Sequence, residues 1–190
     1  MGRQARIDDG ELIDKLSAVF SDVGFQGASM AALAEATGLK KASLYHRFPD
    51  GKEQMAREVL LAAGDWMTEN ILTPLSKDTP PDARVGLLTR RLSKFYSGGK
   101  QACLLNLLSS ARIAEGGVFA MEIATTFEAL ISALRKVVMD AGFDKAEADR
   151  RAVRSVMLLH GSLVLSRGTG STRPFKAFLE GLPNDLLGAK

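Results

Sequence analysis

The glycine turn at Gly38 constrains the fold of this chain more than any other feature of its sequence. An Ala-rich stretch, Ser29–Thr37, precedes the turn and has the length of a short helix. A second short segment, Lys40–Phe48, follows it and carries small, cationic and aromatic side chains. Two short helices joined by a tight turn that contains glycine form a helix-turn-helix. We therefore expect a small helical unit around Gly38.

The second of these helices has a pattern suited to the major groove of B-DNA. Leu44 and Phe48 are four residues apart and should face inward. This leaves an outward side that is small and basic, made by Lys41, Ala42, Ser43, Tyr45 and His46. Ala42 could touch a thymine methyl group, and Ser43 could hydrogen-bond a base edge. The alternative is an ordinary solvated surface helix.

At these residues the chain resembles the TetR/AcrR family of transcriptional regulators, over roughly residues 7–60. The resemblance lies in the glycine punctuation at Gly24 and Gly38, the Leu44-Tyr45 pair, the Phe48-Pro49 turn and the Lys52-Glu53 helix start. Two departures are Lys40, where the family often has a capping Ser or Thr, and a link before Lys52 that is one residue longer.

The resemblance also implies roles for individual residues. Ser29 is expected to cap its helix and to contact a phosphate, since a helix N-terminus attracts anions. Lys52 has the same two expected roles at the start of a long helix. The predicted DNA-binding residues are Ser29, Lys40, Lys41, Ala42, Ser43, Tyr45, His46 and Lys52.

Composition limits the other possibilities. Of 190 residues, 46% are hydrophobic, which predicts a packed core. No apolar run reaches the roughly 18–20 residues of a membrane span, and no apolar signal-peptide core follows the basic N-terminus, so we expect a cytoplasmic protein. The single cysteine, Cys103, lies in an apolar run and is expected to be a buried hydrophobe. Phosphate-loop and metal-ligand spacings are missing, so we expect no enzyme, cofactor or metal.

Net charge alone says little about a nucleic-acid partner. The chain carries a formal +3, but residues 1–58 hold eight Lys/Arg and nine Asp/Glu. The basic residues cluster around the motif, and the acids concentrate at the start of the first helix. Because phosphate contact requires only local positive potential, this distribution permits DNA binding.

Helical periodicity continues to the end of the chain, and strand signals are absent. We predict an all-α protein of about nine helices, with a three-helix helix-turn-helix domain at 1–51 and a helical effector-binding and dimerisation domain at 52–190. A long helix from Lys52 to about Pro74 should belong to both domains. The first helix should be capped by Asp8 with Glu11 and stopped by Gly24. After the long helix we predict a break at 77–81, a helix from Pro80 or Pro81 to Gly98, and a buried apolar stretch at 102–114. The rest of the chain should form helices at 118–141 and from Asp144 to about Ser166, a loop at 168–173, and a helix from Pro174 to Leu187.

The second domain holds an apolar set that could line a cavity for a small hydrophobic effector, as in members of the family. The predicted ligand-binding residues are Trp66, Met67, Phe95, Leu104, Asn106, Leu107, Phe119, Ile123 and Phe127. Candidate polar groups of such a cavity are Asn106, Ser109, Ser110, Arg112 and Thr126. A filled helical core has the same composition and is the alternative.

The last two helices are apolar enough to form a four-helix bundle with a second copy, and the family resemblance implies the same. The predicted dimer-interface residues are Val153, Val156, Met157, His160, Val164, Phe175, Phe178 and Leu182. His160 is expected to be a core or interface histidine with its hydrogen bonds satisfied. The alternative is that these residues serve only the chain's own core.

Together these features predict a homodimeric TetR-like regulator, most simply a repressor. We expect it to bind a palindromic double-stranded DNA operator and to be released by a small hydrophobic effector. The second hypothesis is a helical ligand-binding or interaction protein whose helix-turn-helix no longer binds DNA, and an unrecognised enzyme is third. The concentration of Lys40, Lys41, Tyr45, His46 and Lys52 in one motif favours the first.

Overall fold

The computed structural model describes residues 7–109, 117 and 119–188, and every regular element in those ranges is helical. Within them, none of the helices has both the length and the apolar character that a bilayer span requires. The elements are α1 (Asp9–Gly27), α2 (Met30–Thr37), α3 (Lys41–Arg47), α4 (Lys52–Met67), a π-helical segment (Thr68–Leu72), α5 (Thr73–Ser76), α6 (Pro81–Phe95), a 3-10 turn (Ser97–Gly99), α7 (Leu104–Ser109), α8 (Ala120–Asp140), α9 (Lys145–Thr169) and α10 (Arg173–Leu187). Since α4, the π segment and α5 form one rod, the described residues make nine helical rods, and the all-α prediction is confirmed.

Most predicted helix boundaries agree with the structure. The backbone of α1 leaves helical geometry at Gly24, whose φ is 70°, as expected. Asp144 caps α9, because its carboxylate accepts a 2.9 Å hydrogen bond from the Glu147 N–H. Pro81 occupies the first turn of α6, where its missing N–H has no helical partner to lose.

Two boundary predictions were wrong, and a third lies partly outside the described residues. Asp8 sits at the N-cap position of α1, but its side chain makes no capping hydrogen bond, so the expected capping pair with Glu11 does not form. Helix α9 continues to Thr169 and ends at the left-handed Gly170, which shortens the predicted loop at 168–173. The predicted apolar stretch at 102–114 contains α7, and its residues 110–114 lie outside the described residues.

The long rod from Lys52 to Ser76 contains a π turn that the periodicity did not predict. At this turn the Asn70 side chain donates to the Trp66 carbonyl at 3.1 Å, and the Thr73 N–H bonds to the carbonyl of Thr68, five residues back. Arg91 of α6 donates to the Asn70 carbonyl. Side chains therefore bond to the Trp66 and Asn70 carbonyls where the α-helical ladder is interrupted, and the rod continues without a break.

The described residues form two hydrophobic clusters. The first packs α1, α2, α3 and the first half of α4 together with residues of α7 and the start of α8; it includes Leu16, Phe20, Leu33, Leu44, Phe48, Met55, Val59, Leu108, Phe119 and Ile123. The second packs the end of the rod against α6, α8, α9 and α10; it includes Ile71, Leu75, Leu88, Leu92, Tyr96, Leu134, Val138, Leu159, Phe175 and Leu182. The rod contributes to both clusters, as predicted. Cys103 is buried in the second, beside the Tyr96 hydroxyl.

The 3-10 turn offers a direct test of the second cluster, because Gly98 and Gly99 both have positive φ and only one of them is crowded. A Cβ on Gly99 would lie 2.8 Å from the Phe175 Cβ, whereas one on Gly98 would meet nothing within 4 Å. We expect Gly98→Ala to lower the free energy of unfolding by about 1–2 kcal/mol through backbone strain. Gly99→Ala should lower the free energy of unfolding by about 1–3 kcal/mol more than Gly98→Ala does, because its Cβ overpacks against Phe175. Chemical denaturation measures both; equal losses would contradict this packing.

Candidate functional site

A closely bonded turn sets the angle between α2 and α3. Gly38 adopts a left-handed conformation, with φ 71° and ψ 13°, and its N–H bonds back to the Ala34 and Glu35 carbonyls. The Leu39 N–H also donates to the Ala34 carbonyl, at 3.1 Å. Lys40 then caps α3 through its backbone only, since its side chain makes no cap hydrogen bond. The predicted absence of a side-chain cap at Lys40 is confirmed.

Helix α3 is held by an apolar inner side and exposes the side that was predicted to bind DNA. Leu44 and Phe48 are completely buried, as expected from their spacing. Tyr45 is 50% exposed, and its ring edge lies beside Gly51, where a Cβ would be 3.4 Å away. The other predicted α3 residues are Lys40, Lys41, Ala42 and His46, which are exposed, and Ser43, which is half-buried.

The basic residues of the motif fall into two groups. Lys40 and Lys41 have no ion-pair partner among the residues that the structure describes. The Arg47 guanidinium, in contrast, donates two hydrogen bonds to the Glu58 carboxylate, at 3.1 and 3.3 Å. Its Nε lies 3.6 Å from the Asp9 carboxylate. Arg47 therefore fastens α3 to α4 and α1, and the available positive charge of α3 lies at its N-terminal end.

Ser29 and Lys52 flank the motif, and both already have intramolecular roles. The Ser29 hydroxyl accepts a 3.1 Å hydrogen bond from the Ala32 N–H, so its predicted capping role is confirmed. The Lys52 ammonium donates to the Phe25 carbonyl at 2.8 Å and lies 4.5 Å from the centre of the Phe25 ring. Lys52 thus joins the start of α4 to the end of α1, and any phosphate contact has to be made in addition to this bond.

The nine residues predicted to bind a ligand do not converge on one cavity. Trp66, Phe95 and Leu104 line a cavity of about 320 Å³ beside α1. Asn106 and Leu107 line another of about 460 Å³ between α7 and α9, and Met67 lines a groove of about 400 Å³ between α4 and α8.

The remaining predicted ligand residues pack inside the protein. Phe119 and Ile123 are buried in the first hydrophobic cluster, and Phe127 packs against both clusters. Of the candidate polar groups, Thr126 lines the α4–α8 groove. Ser110 and Arg112 lie outside the described residues, as does the side chain of Ser109.

The predicted dimer residues are also divided by burial. Val156, Phe175, Phe178 and Leu182 are buried in the chain's own core, so their side chains are not available on the surface. Periodicity identified them as apolar but could not tell the inner side of a helix from its outer side. Val153, Met157 and Val164 are exposed, and Leu158 and Leu165 extend the same apolar surface of α9. We call these five residues the α9 apolar face.

His160 lies beside this face and is half-buried. Its ring stands edge-on to Phe127, with 4.9 Å between ring centres. Its Nδ1 has no hydrogen-bond partner among the described residues, so the chain's own core does not satisfy that atom as expected, and a partner across an interface stays a prediction. Burial lowers the pKa of His160 to about 4, because the imidazolium loses its hydration there.

Two arginines that the sequence reasoning missed join elements that are far apart in the sequence. Arg167 of α9 donates to the carbonyls of Ser21, at 3.0 Å, and Asp22. These carbonyls belong to the last regular turn of α1 before Gly24, where a cation also complements the helix dipole. Arg57 of α4 pairs with Glu122 at the start of α8. Separations of 145 and 65 residues leave no local pattern from which either contact could be predicted.

Comparison with known proteins accounts for most of the chain. Residues 12–59 match the family "Bacterial regulatory proteins, tetR family", and residues 88–180 match "Transcriptional regulator LmrA/YxaF-like, C-terminal domain". The HTH-type transcriptional regulator YxaF of Bacillus subtilis, which is described as uncharacterized, is 22% identical over 91% of this chain and 92% of its own length. The HTH-type transcriptional repressor KstR2 of Mycobacterium tuberculosis is 34% identical over 30% of this chain and 28% of its own length.

Solved structures share the fold. A TetR transcriptional regulator from Legionella pneumophila superposes with a TM-score of 0.81 at 18% identity, covering 96% of this chain and all of the other. AmtR of Mycobacterium smegmatis superposes with a TM-score of 0.62 at 22% identity, covering 99% and 89%. The two matched domains, the full-length relative and the helix-turn-helix geometry agree: this chain belongs to the TetR family of transcriptional regulators.

Proposed function

We propose that this chain is a homodimeric repressor that binds an inverted-repeat DNA operator through α3 and is released by a small molecule. The observation that carries the proposal is the exposed cationic start of α3, which makes no ion pair within the described residues and is held on the buried side chains of Leu44 and Phe48. A helix fixed in this way presents Lys40, Lys41, Tyr45 and His46 without having to rearrange on binding.

The residues of α3 divide by the DNA groups that they can reach. The long, charged side chains of Lys40 and Lys41 suit phosphate oxygens, which position a protein on the duplex. Ala42 and Ser43 are short enough to approach base edges, which carry sequence information. Ser29 adds a helix N-terminus, where the N–H groups of α2 favour an anion. We therefore expect substitutions at Lys40 or Lys41 to change the salt dependence of DNA affinity, and substitutions at Ala42 or Ser43 to change the sequence preference.

Selection from a random duplex library tests the proposal, and the salt dependence of binding to the selected duplex tests its physical basis. Lys41→Ala should flatten the plot of log affinity against log salt by roughly 0.9 for each phosphate that the Lys41 ammonium neutralises. Lys176→Ala on α10 is the matched control, because it also removes an exposed lysine but lies outside the motif. It should leave the slope unchanged. Fluorescence anisotropy at several salt concentrations measures both slopes.

Failure to select any duplex would contradict the proposal and would favour a helical interaction protein with an inactive motif. If the two variants give equal slopes, DNA binding stands but the Lys41 ammonium does not contact a phosphate. A third variant, Ser43→Ala, should keep the slope and relax the preference at one base position, which distinguishes base recognition from charge.

The α9 apolar face supports a homodimer. Its five apolar side chains, 38–68% exposed, lie along one helix and would remain in contact with water in a monomer. Apolar surface of this extent on a soluble chain marks an interaction site, and two copies of one helix face can pair about a two-fold axis. The small Gly161 and Gly168 on the exposed side of α9 allow a partner helix to approach closely.

Two exposed methionines provide a matched test of the dimer. Met157 on the α9 apolar face is 68% exposed, and Met121 on α8 is 77% exposed. Met157→Lys should produce a monomer at micromolar concentration, because it buries a charge in the proposed interface. Met121→Lys should remain dimeric. Sedimentation velocity measures both, and circular dichroism checks that each variant is folded. A dimeric Met157→Lys protein or a monomeric wild type would contradict this interface.

Release by a small molecule is the third part of the proposal. It requires a path from the second domain to α3, and the described contacts supply two. The rod that starts at Lys52 passes from the first cluster into the second, and Arg167 joins α9 to α1. A ligand acts through them only if it binds one arrangement more tightly; coupling of about 1–3 kcal/mol is typical.

A further inference from the structure

Arg167 bridges α1 and α9 at a place where the two helices do not pack closely against each other. Its side chain lines a surface cavity of about 390 Å³ beside Ala18 of α1, and also the cavity of about 460 Å³ between α7 and α9. The guanidinium reaches across to the Ser21 and Asp22 carbonyls. Hydrogen bonds from one side chain, rather than apolar packing, therefore connect the two helices here.

Helix α1 belongs to the unit that holds α3. Leu16 and Phe20 of α1 are completely buried in the same hydrophobic cluster as Leu44 and Phe48 of α3. A contact that fixes the last regular turn of α1 therefore also fixes the direction of α3. The rod and the short α7 attach this unit as well, but Arg167 attaches it to the helix that carries the α9 apolar face.

The contact point lies next to that face. Arg167 follows Val164 by three residues and Leu165 by two, which is less than one helical turn, or about 5 Å along the helix axis. When two α9 helices pair, each copy of Arg167 holds its own α1 within one turn of the paired surface. The position of α3 relative to the partner copy is thereby fixed over a short path.

We infer that Arg167 determines which spacing of half-sites the dimer accepts. This inference rests on the proposed function, and it makes Arg167 a positioning residue that acts through α1. One base pair added between half-sites moves them apart by about 3.4 Å and rotates one by about 35° around the duplex. Both copies of α3 can follow that change only if the bonds from Arg167 to Ser21 and Asp22 break.

The selected duplex, with one base pair inserted or removed between its half-sites, tests the inference. The ratio of the two affinities, original over altered duplex, is the spacing penalty. Arg167→Met keeps an unbranched apolar chain and removes the donors. It should lower the penalty by about 10-fold or more, the scale of one hydrogen bond to a charged group. Affinity for a duplex with a single half-site should not change, because Arg167 acts only on the relation between the two copies.

Two further variants show whether the bonds themselves matter. Arg173→Met removes an exposed arginine at the start of α10 and is the matched control; it should keep the wild-type penalty. Arg167→Lys keeps the charge and donates from a single point, so its penalty should be intermediate. Partial unfolding lowers all affinities by one factor and leaves the ratio unchanged. An Arg167→Met protein with the wild-type penalty would overturn the inference, even if all its affinities were lower.

A distance measurement without DNA separates this inference from the proposed function. A spin label at the exposed Glu35 of α2, introduced as Glu35→Cys in a Cys103→Ala background, reports the distance between the two copies of α2 in the dimer. Arg167→Met should broaden the distribution of that distance. Broadening in a chain that selects no duplex would support the positioning role and contradict the regulator. An unchanged distribution and an unchanged penalty, in a chain that binds its duplex, would overturn the inference while DNA binding stands.

Discussion

The burial of one long helical rod in two hydrophobic clusters is the constraint on which the rest of the structure depends. Met55 and Val59, near its start, complete the core that holds α3, and Ile71 and Leu75, near its end, belong to the core of α8, α9 and α10. Because each cluster packs against the same rigid element, the direction of α3 is tied to the position of α9. The rod thereby relates the proposed DNA surface to the proposed dimer surface.

Polar contacts made by charged residues also join the helices to one another. Lys52 and Arg57 extend from α4 to Phe25 and to Glu122, and Arg167 extends from α9 to the last regular turn of α1. Each contact joins elements that belong to different parts of the chain. Hydrogen bonds between charged groups and carbonyls stabilise by about 1.5–3 kcal/mol each, which is the scale of typical allosteric coupling. The cavity beside α1 lies among them, between α1 and Trp66.

The sequence predicted the helix-turn-helix well because its determinants are local. Gly38, Leu44 and Phe48 act within a few residues of one another, and periodicity reveals them directly. Burial in the second domain was harder to predict: Phe178 and Met157 both belong to apolar patterns, but one faces the core and the other faces water. The cavity beside α1 could not be predicted, because Ser21 and Trp66 are distant in sequence and meet only through the packing of α1 on α4.

Hydroxyl-radical footprinting of the wild-type chain on its selected duplex tests the central claim most directly. Two copies of α3, held by their rods and paired through α9, should protect two segments related by a two-fold axis. Their centres should lie about 10–10.5 base pairs apart, or a whole multiple of that spacing, so that both helices enter the major groove on one side of the duplex. A single protected segment without symmetry would contradict the account, as would two segments at a spacing that places them on opposite sides.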